Sequence, residues 1–286
     1  MSKLGDHHYI PQFHLNCWAD GDGKLTQWGR APFTNKLFKK RVSSAETGYK
    51  PGLYAVSAAS PQKQQMIERE VFGRLDNASA MVMQKLLRGD NISLVERATW
   101  AFYLNASVIR VAHIVEKMRR EMQILIKEEL DRDLPDYNEV RGDVTAATLY
   151  EWGIEHDSDR ISNAGLQVLI RLLQNERALN RIINLNWTVR DVSSTSNRLM
   201  LSDDPVHREV PLYARNACWI VPLSPTHIFL AADDHNIIDR FHSLTPRALV
   251  QQSNIRSLRN ARQFAYGAAN CSFIERHLLV ASTTFS

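Results

Sequence analysis

The sequence contains few cysteines. Only Cys17, Cys218 and Cys271 occur among 286 residues, at wide spacings and with no Cys-x-x-Cys pair. A disulfide framework needs an even set of cysteines, and a zinc ribbon needs closely spaced pairs. The cysteine pattern therefore excludes both frameworks and favours a reducing compartment.

Long apolar runs are also absent. No stretch of the chain approaches the roughly 20 consecutive apolar residues that cross a bilayer. The first residues, Met1-Ser2-Lys3-Leu4-Gly5, lack the apolar core of a secretory signal peptide. We therefore expect a cytoplasmic protein that has no membrane partner.

The short motifs of several large enzyme classes are missing. The chain has no Gly-x-Ser-x-Gly elbow, no phosphate-binding P-loop, no Gly-x-Gly-x-x-Gly turn, no His-Glu-x-x-His pair and no EF-hand loop. The sequence thus gives no support to an α/β-hydrolase, to P-loop or Rossmann nucleotide binding, or to a zinc protease.

The net charge of the chain is mildly basic. Its formal charge is +4, and the basic clusters are small: Lys39-Lys40-Arg41, Arg119-Arg120, and the helical set Arg256, Arg259 and Arg262. This pattern permits a nucleic acid or another phosphate-bearing ligand as a partner, and it is also typical of a solvated surface. The oligomeric state cannot be read from the sequence.

The order of hydrophobic patterns predicts one α+β domain over residues 1–286. Residues 1–58 and 187–286 contain short β-prone runs, whereas residues 60–186 show helical periodicity. We predict a central bundle of about four to five helices packed against a small, mostly antiparallel sheet that the N-terminal and C-terminal segments form together. The alternative is a small N-terminal β unit packed on a helical body.

Two helices can be placed within the helical middle. Apolar residues spaced four, four, three, four and four apart predict a first helix that stops near Arg88: Ile67, Val71, Leu75, Ala78, Val82 and Leu86. Ser93 and Glu96 form a capping-box pattern that starts a second helix, predicted to continue to about Leu130. The polar segment 131–142 is predicted to be a loop.

The N-terminal segment carries three of the ten histidines, His7, His8 and His14, beside Asp6. Imidazole binds metal ions and transfers protons near neutral pH. If the segment is extended, His8 and His14 lie on one face and His7 on the other. His8 is a candidate general base or metal ligand. The alternative is a terminal segment whose histidines are partly exposed.

A second motif, Leu201-Ser202-Asp203-Asp204-Pro205, places carboxylates at the predicted end of a strand. Strand ends are common positions for catalytic groups, because the sheet fixes the geometry and the loop leaves access. Asp203 is therefore a candidate catalytic residue or metal ligand. The alternative is an Asx-type turn in which Asp203 accepts backbone N–H groups.

The third motif lies on a predicted helix after Pro246. Asn254 could orient a substrate or a histidine, and Arg256 could bind a phosphate. The alternative is an exposed basic helix face with Asn254 near a bend.

Charged residues border the apolar faces of the two central helices. A buried arginine must be paired, because an unpaired buried charge is very costly. Arg110 lies on the second helix, and Glu68 and Asp76 lie on the first. We predict a structural ion pair between Arg110 and Glu68 or Asp76. Contact between Arg110 and a substrate is the alternative.

These segments together resemble domain-of-unknown-function family 4238. The opening His8-Tyr9-Ile10-Pro11-Gln12-Phe13-His14-Leu15 is similar to the start of that family. Further similar segments follow in the same order: Leu53-Tyr54, Ile67-Glu68, Leu75-Asp76, Arg110, Leu201–Val206, Pro222–Pro225 and Ser253–Ile255. The resemblance spans nearly the whole chain. It implies a mostly bacterial, intracellular family without an established activity, and it gives weight to His8, Asp203 and Asn254.

The leading hypothesis is a hydrolase or nuclease that acts on a phosphodiester or nucleotide. Its catalytic residues would be His8, Asp203 and Asn254, and a divalent metal is a candidate cofactor with His7, His8 and Asp203 as ligands. The substrate-binding residues would be Arg256, Arg110 and His14. Two alternatives stay open: a non-catalytic module that binds nucleic acid or an anionic ligand, and a structural or regulatory interaction protein.

Overall fold

The computed structural model describes residues 5–57, 66–132 and 134–279. The predicted start of the helical middle at residue 60 therefore lies outside the described residues. The chain is divided into two compact units. The first comprises Met1–His7, Lys50–Gly73 and Ala112–Asn175, and the second comprises His8–Tyr49, Arg74–Val111 and Glu176–Ser286. The assignment of the whole chain to one domain stays a prediction.

The α+β class is confirmed by helices that occur together with small sheets. The helices, in chain order, are α1 (Gln12–Leu15), α2 (Arg74–Arg88), α3 (Leu94–Ile109), α4 (Ala112–Arg132), α5 (Leu134–Val140), α6 (Leu149–Leu173), α7 (Glu176–Ile183), α8 (His235–Ser243), α9 (Pro246–Asn260) and α10 (Cys271–His277). Short 3-10 turns occupy Asn16–Trp18 and Ser44–Glu46, and a π-helical turn spans Ile67–Gly73. Among the described residues, no helix has both the length and the apolar character needed to cross a membrane.

Within the described part of the chain the strands form three small sheets, whereas the sequence led us to expect one. The strands are β1 (Asp6–His8), β2 (Lys24–Arg30), β3 (Leu37–Ser43), β4 (Tyr49–Pro51), β5 (Asn186–Asp191), β6 (Leu201–Ser202), β7 (His207–Arg208), β8 (Cys218–Ser224), β9 (His227–Ala232) and β10 (Phe264–Tyr266). One antiparallel sheet has the order β3-β2-β10-β6 and a second has the order β5-β9-β8-β7, while β1 and β4 form a two-stranded sheet. The first four-stranded sheet combines N-terminal with C-terminal strands, whereas the described strands β5, β9, β8 and β7 pair in that order in a sheet of their own.

The sheet β3-β2-β10-β6 packs its inner face on an apolar cluster of the second unit. Trp28 is buried at its centre, and its indole Nε1–H donates to the carbonyl of Gly267 at 2.9 Å. The cluster also contains Met200, Leu258, Ala265 and Ile274. Because a buried tryptophan combines a large apolar area with one satisfied polar atom, it anchors β2 to the C-terminal segment.

Two of the predicted helix boundaries were wrong. Ser93 caps α3 with the predicted capping box, but α3 ends at Ile109 and a new helix starts at Ala112. The predicted loop at 131–142 contains helix α5. Tyr137 on α5 is buried, and its hydroxyl donates to the carbonyl of Ala146 at 3.1 Å. Tertiary packing of this tyrosine outweighs the polar local sequence.

Helices α4 and α6 approach closely within the first unit, at Gly165. A Cβ atom added to Gly165 would lie 2.6 Å from Cα and 2.9 Å from N of Arg119, both backbone atoms of α4. Beside this contact, the guanidinium of Arg119 donates to the carbonyl of Ala55 at 2.7 Å. The close helix packing therefore depends on the missing side chain at residue 165.

Replacing Gly165→Ala should lower the free energy of unfolding by about 1 kcal/mol. Overpacking against backbone costs about 1–3 kcal/mol, which exceeds the gain of up to about 1 kcal/mol from the helix propensity of alanine. Urea denaturation followed by circular dichroism measures this change. Gly21→Ala is the control, because no heavy atom lies within 4 Å of its added Cβ. A Gly165→Ala protein more stable than the wild type would contradict the packing argument.

Candidate functional site

His7 is fully buried in the first unit and is bound to the backbone. Its Nδ1 accepts the N–H of Tyr54 at 2.8 Å, and its ring stacks on the Tyr54 ring with 5.5 Å between centroids. Because a backbone N–H can only donate, Nδ1 holds a lone pair that is already in use. This nitrogen is therefore not available to a metal ion.

His8 belongs to the second unit and is half-buried. Its Nε2 lies 3.4 Å from Nε2 of Gln12, and its ring lies 5.5 Å from the ring of Tyr49. His8 is thus the one N-terminal histidine of the three that is not fully enclosed. Its assignment as a general base stays a prediction.

His14 lies on helix α1, so the expectation of an extended segment is wrong at this position. The ring is fully buried, and Nε2–H donates to the carbonyl of Pro222 at 2.8 Å. Since that nitrogen carries the proton, Nδ1 accepts the hydroxyl of Tyr103 at 2.7 Å. Burial lowers the pKa of His14 to about 4, so the neutral ring is the stable form. With both nitrogens bound inside the core, His14 does not reach a substrate.

Arg110 continues this buried polar path. Its side chain has no solvent exposure, and Nη1 lies 2.8 Å and 3.2 Å from the two carboxylate oxygens of Asp76. Its guanidinium carbon lies 5.7 Å from the centre of the Tyr103 ring. Burial raises the pKa of Asp76, and the charge of Arg110 opposes that shift. Arg110 and Asp76 therefore form an ion pair inside the second unit, as predicted for one of the two candidate partners.

Asp203 is bound by three backbone donors. Its carboxylate accepts the N–H groups of Arg262 at 2.6 Å, Gln263 at 2.7 Å and Phe264 at 3.1 Å. Burial raises the pKa of Asp203 to about 6, and these three donors work against the shift. Both carboxylate oxygens are therefore engaged in holding strand β6 against the start of β10.

Asn254 binds a backbone segment in the same way. Its Oδ1 accepts the N–H of Met200 at 2.8 Å, and its Nδ2 donates to the carbonyl of Arg198 at 2.8 Å. On the next turn of α9, the hydroxyl of Ser257 donates to the carbonyl of Met200 at 2.7 Å. The amide of Asn254 thus fixes the segment that carries Arg198.

The predicted metal site is not formed. Within residues 5–57, 66–132 and 134–279, no three His, Cys, Asp or Glu side chains are grouped so that they could hold a metal ion. This finding includes the predicted set of His7, His8 and Asp203. Nδ1 of His7 and both oxygens of Asp203 instead accept backbone N–H groups.

A cavity of about 570 Å³ lies beside helix α9 in the second unit, and we call it the Arg198–Arg247 cavity. Asn254 forms part of its wall, as do Asn197, Gln251, Asn270 and Phe273. No aspartate or glutamate occurs among the described residues that line it. The cavity therefore combines two cationic side chains with amides and one aromatic ring.

The two arginines are held differently. Nη1 of Arg198 donates to the backbone oxygens of Thr195 and Asn197, which orients the guanidinium group. Arg247 is exposed on the first turn of α9 and has no carboxylate partner in the described part of the chain. No sequence motif indicated either residue, since they are far apart along the chain and neither belongs to a basic cluster.

Arg256 lies apart from Asn254, so the structure does not place these two predicted site residues in the wall of one cavity. Its guanidinium pairs with Glu209, at 2.8 Å from Nε and 2.6 Å from Nη2. Arg256 lines a second cavity of the same unit, whereas Asn254 lines the first. Residues two apart on a helix point in different directions, which explains the separation.

Comparison with known proteins identifies one family. The family model described as "Protein of unknown function (DUF4238)" matches residues 6–270. No curated protein matches the chain. No solved structure matches it either. The family match covers every motif on which the sequence resemblance was based, so the resemblance is confirmed.

His14 should make the protein sensitive to acid. Below its usual pKa of 6.5 the unfolded chain binds a proton on this ring, and the folded protein resists that proton until about pH 4. Stability from His14 is therefore complete above pH 6.5 and is lost as the pH falls toward 4. Between pH 7 and pH 4, the wild type should lose about 3 kcal/mol more unfolding free energy than His14→Gln.

Urea denaturation of both proteins at several pH values measures the difference. The raised pKa of Asp203 acts with the opposite sign in the same pH range, and it cancels because both proteins contain Asp203. Parallel stability curves for the two proteins would show that His14 is not the acid-sensitive group.

Proposed function

The chain belongs to the DUF4238 family, whose description gives no activity, and we propose that its second unit binds a small phosphate-bearing ligand of nucleotide size in the Arg198–Arg247 cavity. One observation carries the proposal. Two arginine side chains line a cavity of about 570 Å³, and no carboxylate occurs among the described residues of its wall.

The charge of the cavity favours an anion. A guanidinium group binds phosphate oxygens through paired N–H donors, and its charge persists at every physiological pH. Because no acidic side chain in the wall offsets Arg198 and Arg247, their fields add within the cavity. Arg247 is the more adaptable of the two, since the guanidinium of Arg198 is held by the carbonyls of Thr195 and Asn197.

The remaining wall suits the uncharged part of a nucleotide. Small-molecule sites commonly have volumes of about 300–1,000 Å³, and this cavity falls within that range. Asn197, Gln251 and Asn270 present amide groups, which can bind a base edge or a ribose hydroxyl. The half-buried ring of Phe273 offers a face on which a base can stack.

Asn254 would act in this site as a positioning residue. Its amide binds the carbonyl of Arg198 and the N–H of Met200. It therefore holds the backbone from which the Arg198 side chain extends. This arrangement gives Asn254 a function without direct contact between its amide and the ligand.

Binding is favoured over hydrolysis at this cavity. Hydrolysis of a phosphodiester needs a general base or a metal-bound water close to the phosphate. The described residues of the wall include neither a histidine nor a carboxylate. Hydrolase or nuclease activity at another place on the chain, and a cytoplasmic location, stay predictions.

Titration calorimetry with the full chain tests the proposal. AMP should bind, inorganic phosphate should bind more weakly, and adenosine should bind most weakly, because the phosphate supplies the charge. Arg247→Ala should weaken AMP binding at least tenfold, and added salt should weaken binding to the wild type. Arg259→Ala is the matched control, since it removes the same charge from an exposed position of α9 outside the cavity.

Two results would contradict the proposal. One is the absence of AMP and phosphate binding to the wild type at millimolar concentration. The other is an equal loss of affinity in Arg247→Ala and Arg259→Ala, which would indicate general charge attraction. Tighter binding of a single-stranded oligonucleotide than of AMP, with equal dependence on both arginines, would favour a nucleic-acid surface instead.

A further inference from the structure

A second cavity of about 470 Å³ lies in the second unit between the sheet of β7, β8 and β9 and the helices α8 and α9. We propose that this cavity binds a small apolar molecule that carries one carboxylate, such as a medium-chain fatty acid. The site differs from the Arg198–Arg247 cavity in its lining residues and in its chemistry.

The interior of this second cavity is mostly apolar. Its apolar wall comprises Ile220, Leu230, Ile237, Phe241, Leu244 and Leu249. These six residues also belong to, or pack on, the apolar cluster that includes Val192 and Ile228. A ligand in this cavity would therefore continue the apolar core, and burial of its alkyl groups would drive its binding. Each buried CH₂ group should increase the affinity about threefold to fourfold.

Among the charged side chains that line the second cavity, one arginine has no acidic partner within the described residues. Glu209 is the acidic residue among the described lining residues, and Arg256 binds it at 2.6 Å. Arg240 also lines the cavity, is exposed at the end of α8, and has no ion pair within the described residues. An arginine at the rim of an apolar cavity complements a carboxylate at the end of an apolar chain. This complementarity favours an acid over a neutral alcohol of equal length.

Cys218 provides a reporter inside the second cavity. The residue lines the cavity and is half-buried, and burial raises the pKa of its thiol to about 11. The exposed Cys271 lies outside this cavity and serves as an internal control. A bound ligand should slow the reaction of Cys218 with a maleimide and leave the reaction of Cys271 unchanged.

The experiment combines calorimetry with site-resolved maleimide labelling of the full chain. Octanoate should bind about tenfold more tightly than hexanoate, because it buries two more CH₂ groups. Octanoate should also bind more tightly than octanol and should slow labelling at Cys218. In Arg240→Gln the affinity for octanoate should fall to that for octanol, whereas Arg276→Gln, an exposed arginine outside both cavities, should behave as the wild type.

Equal affinities for octanoate and octanol in the wild type would overturn the proposal. An unchanged labelling rate at Cys218 at saturating octanoate would also overturn it, because the ligand would then lie elsewhere. Unfolding curves of Arg240→Gln establish that the variant is folded. In addition, Ile237→Phe reduces the free volume while retaining Arg240, and it should weaken octanoate and octanol alike. The AMP titration tests the Arg198–Arg247 cavity alone, so its outcome does not decide whether the second cavity binds octanoate.

Discussion

The carboxylate of Asp203 is the constraint on which the second unit depends most. It binds three consecutive backbone N–H groups at residues 262–264, where α9 ends and β10 begins. Strand β10 pairs with both β2 and β6, so this one side chain fixes the centre of a four-stranded sheet. Asn254 and Ser257 bind the preceding segment from Arg198 to Met200. The segment from residue 198 to residue 203 is therefore bound to α9 and β10 at several points.

The buried polar groups of this protein are used mainly to hold backbone in place. His14 and Tyr103 form a hydrogen-bonded chain that ends on the carbonyl of Pro222, next to an irregularity in the pairing of β8 with β9. Arg110 extends the path to the ion pair with Asp76. Burial of such groups is tolerated only when their hydrogen-bonding atoms find partners, and these partners lie on segments distant in sequence. The path thus fixes the relative positions of α1, α2, α3 and β8.

Local features of the fold could be predicted from the sequence, because they depend on neighbouring residues. The capping box at Ser93 and the short strands β8 and β9 within the β-prone residues 187–286 are examples. The helix around Tyr137 could not be predicted, because it is stabilised by a contact with Ala146 across a turn. At the candidate site the motifs identified Asp203 and Asn254 as important polar residues. They could not show that both bind backbone groups, since the partners depend on the folded chain. Arg198 and Arg247 could not be predicted as a pair either, because only the folded chain brings them to one cavity.

Helix α9 contributes to the walls of both cavities. The α9 residues that line the first cavity are Arg247, Val250, Gln251 and Asn254. Those that line the second cavity are Leu249, Gln252 and Arg256. Because α9 contributes to both walls, a translation or rotation of this helix as a rigid body would change the shape of both cavities. If a ligand in one cavity displaces α9, it changes the affinity of the other cavity for its ligand, and by linkage the second ligand changes the first affinity by the same factor. The hydrogen bonds from Asn254 and Ser257 to residues 198–200 would limit the displacement of α9.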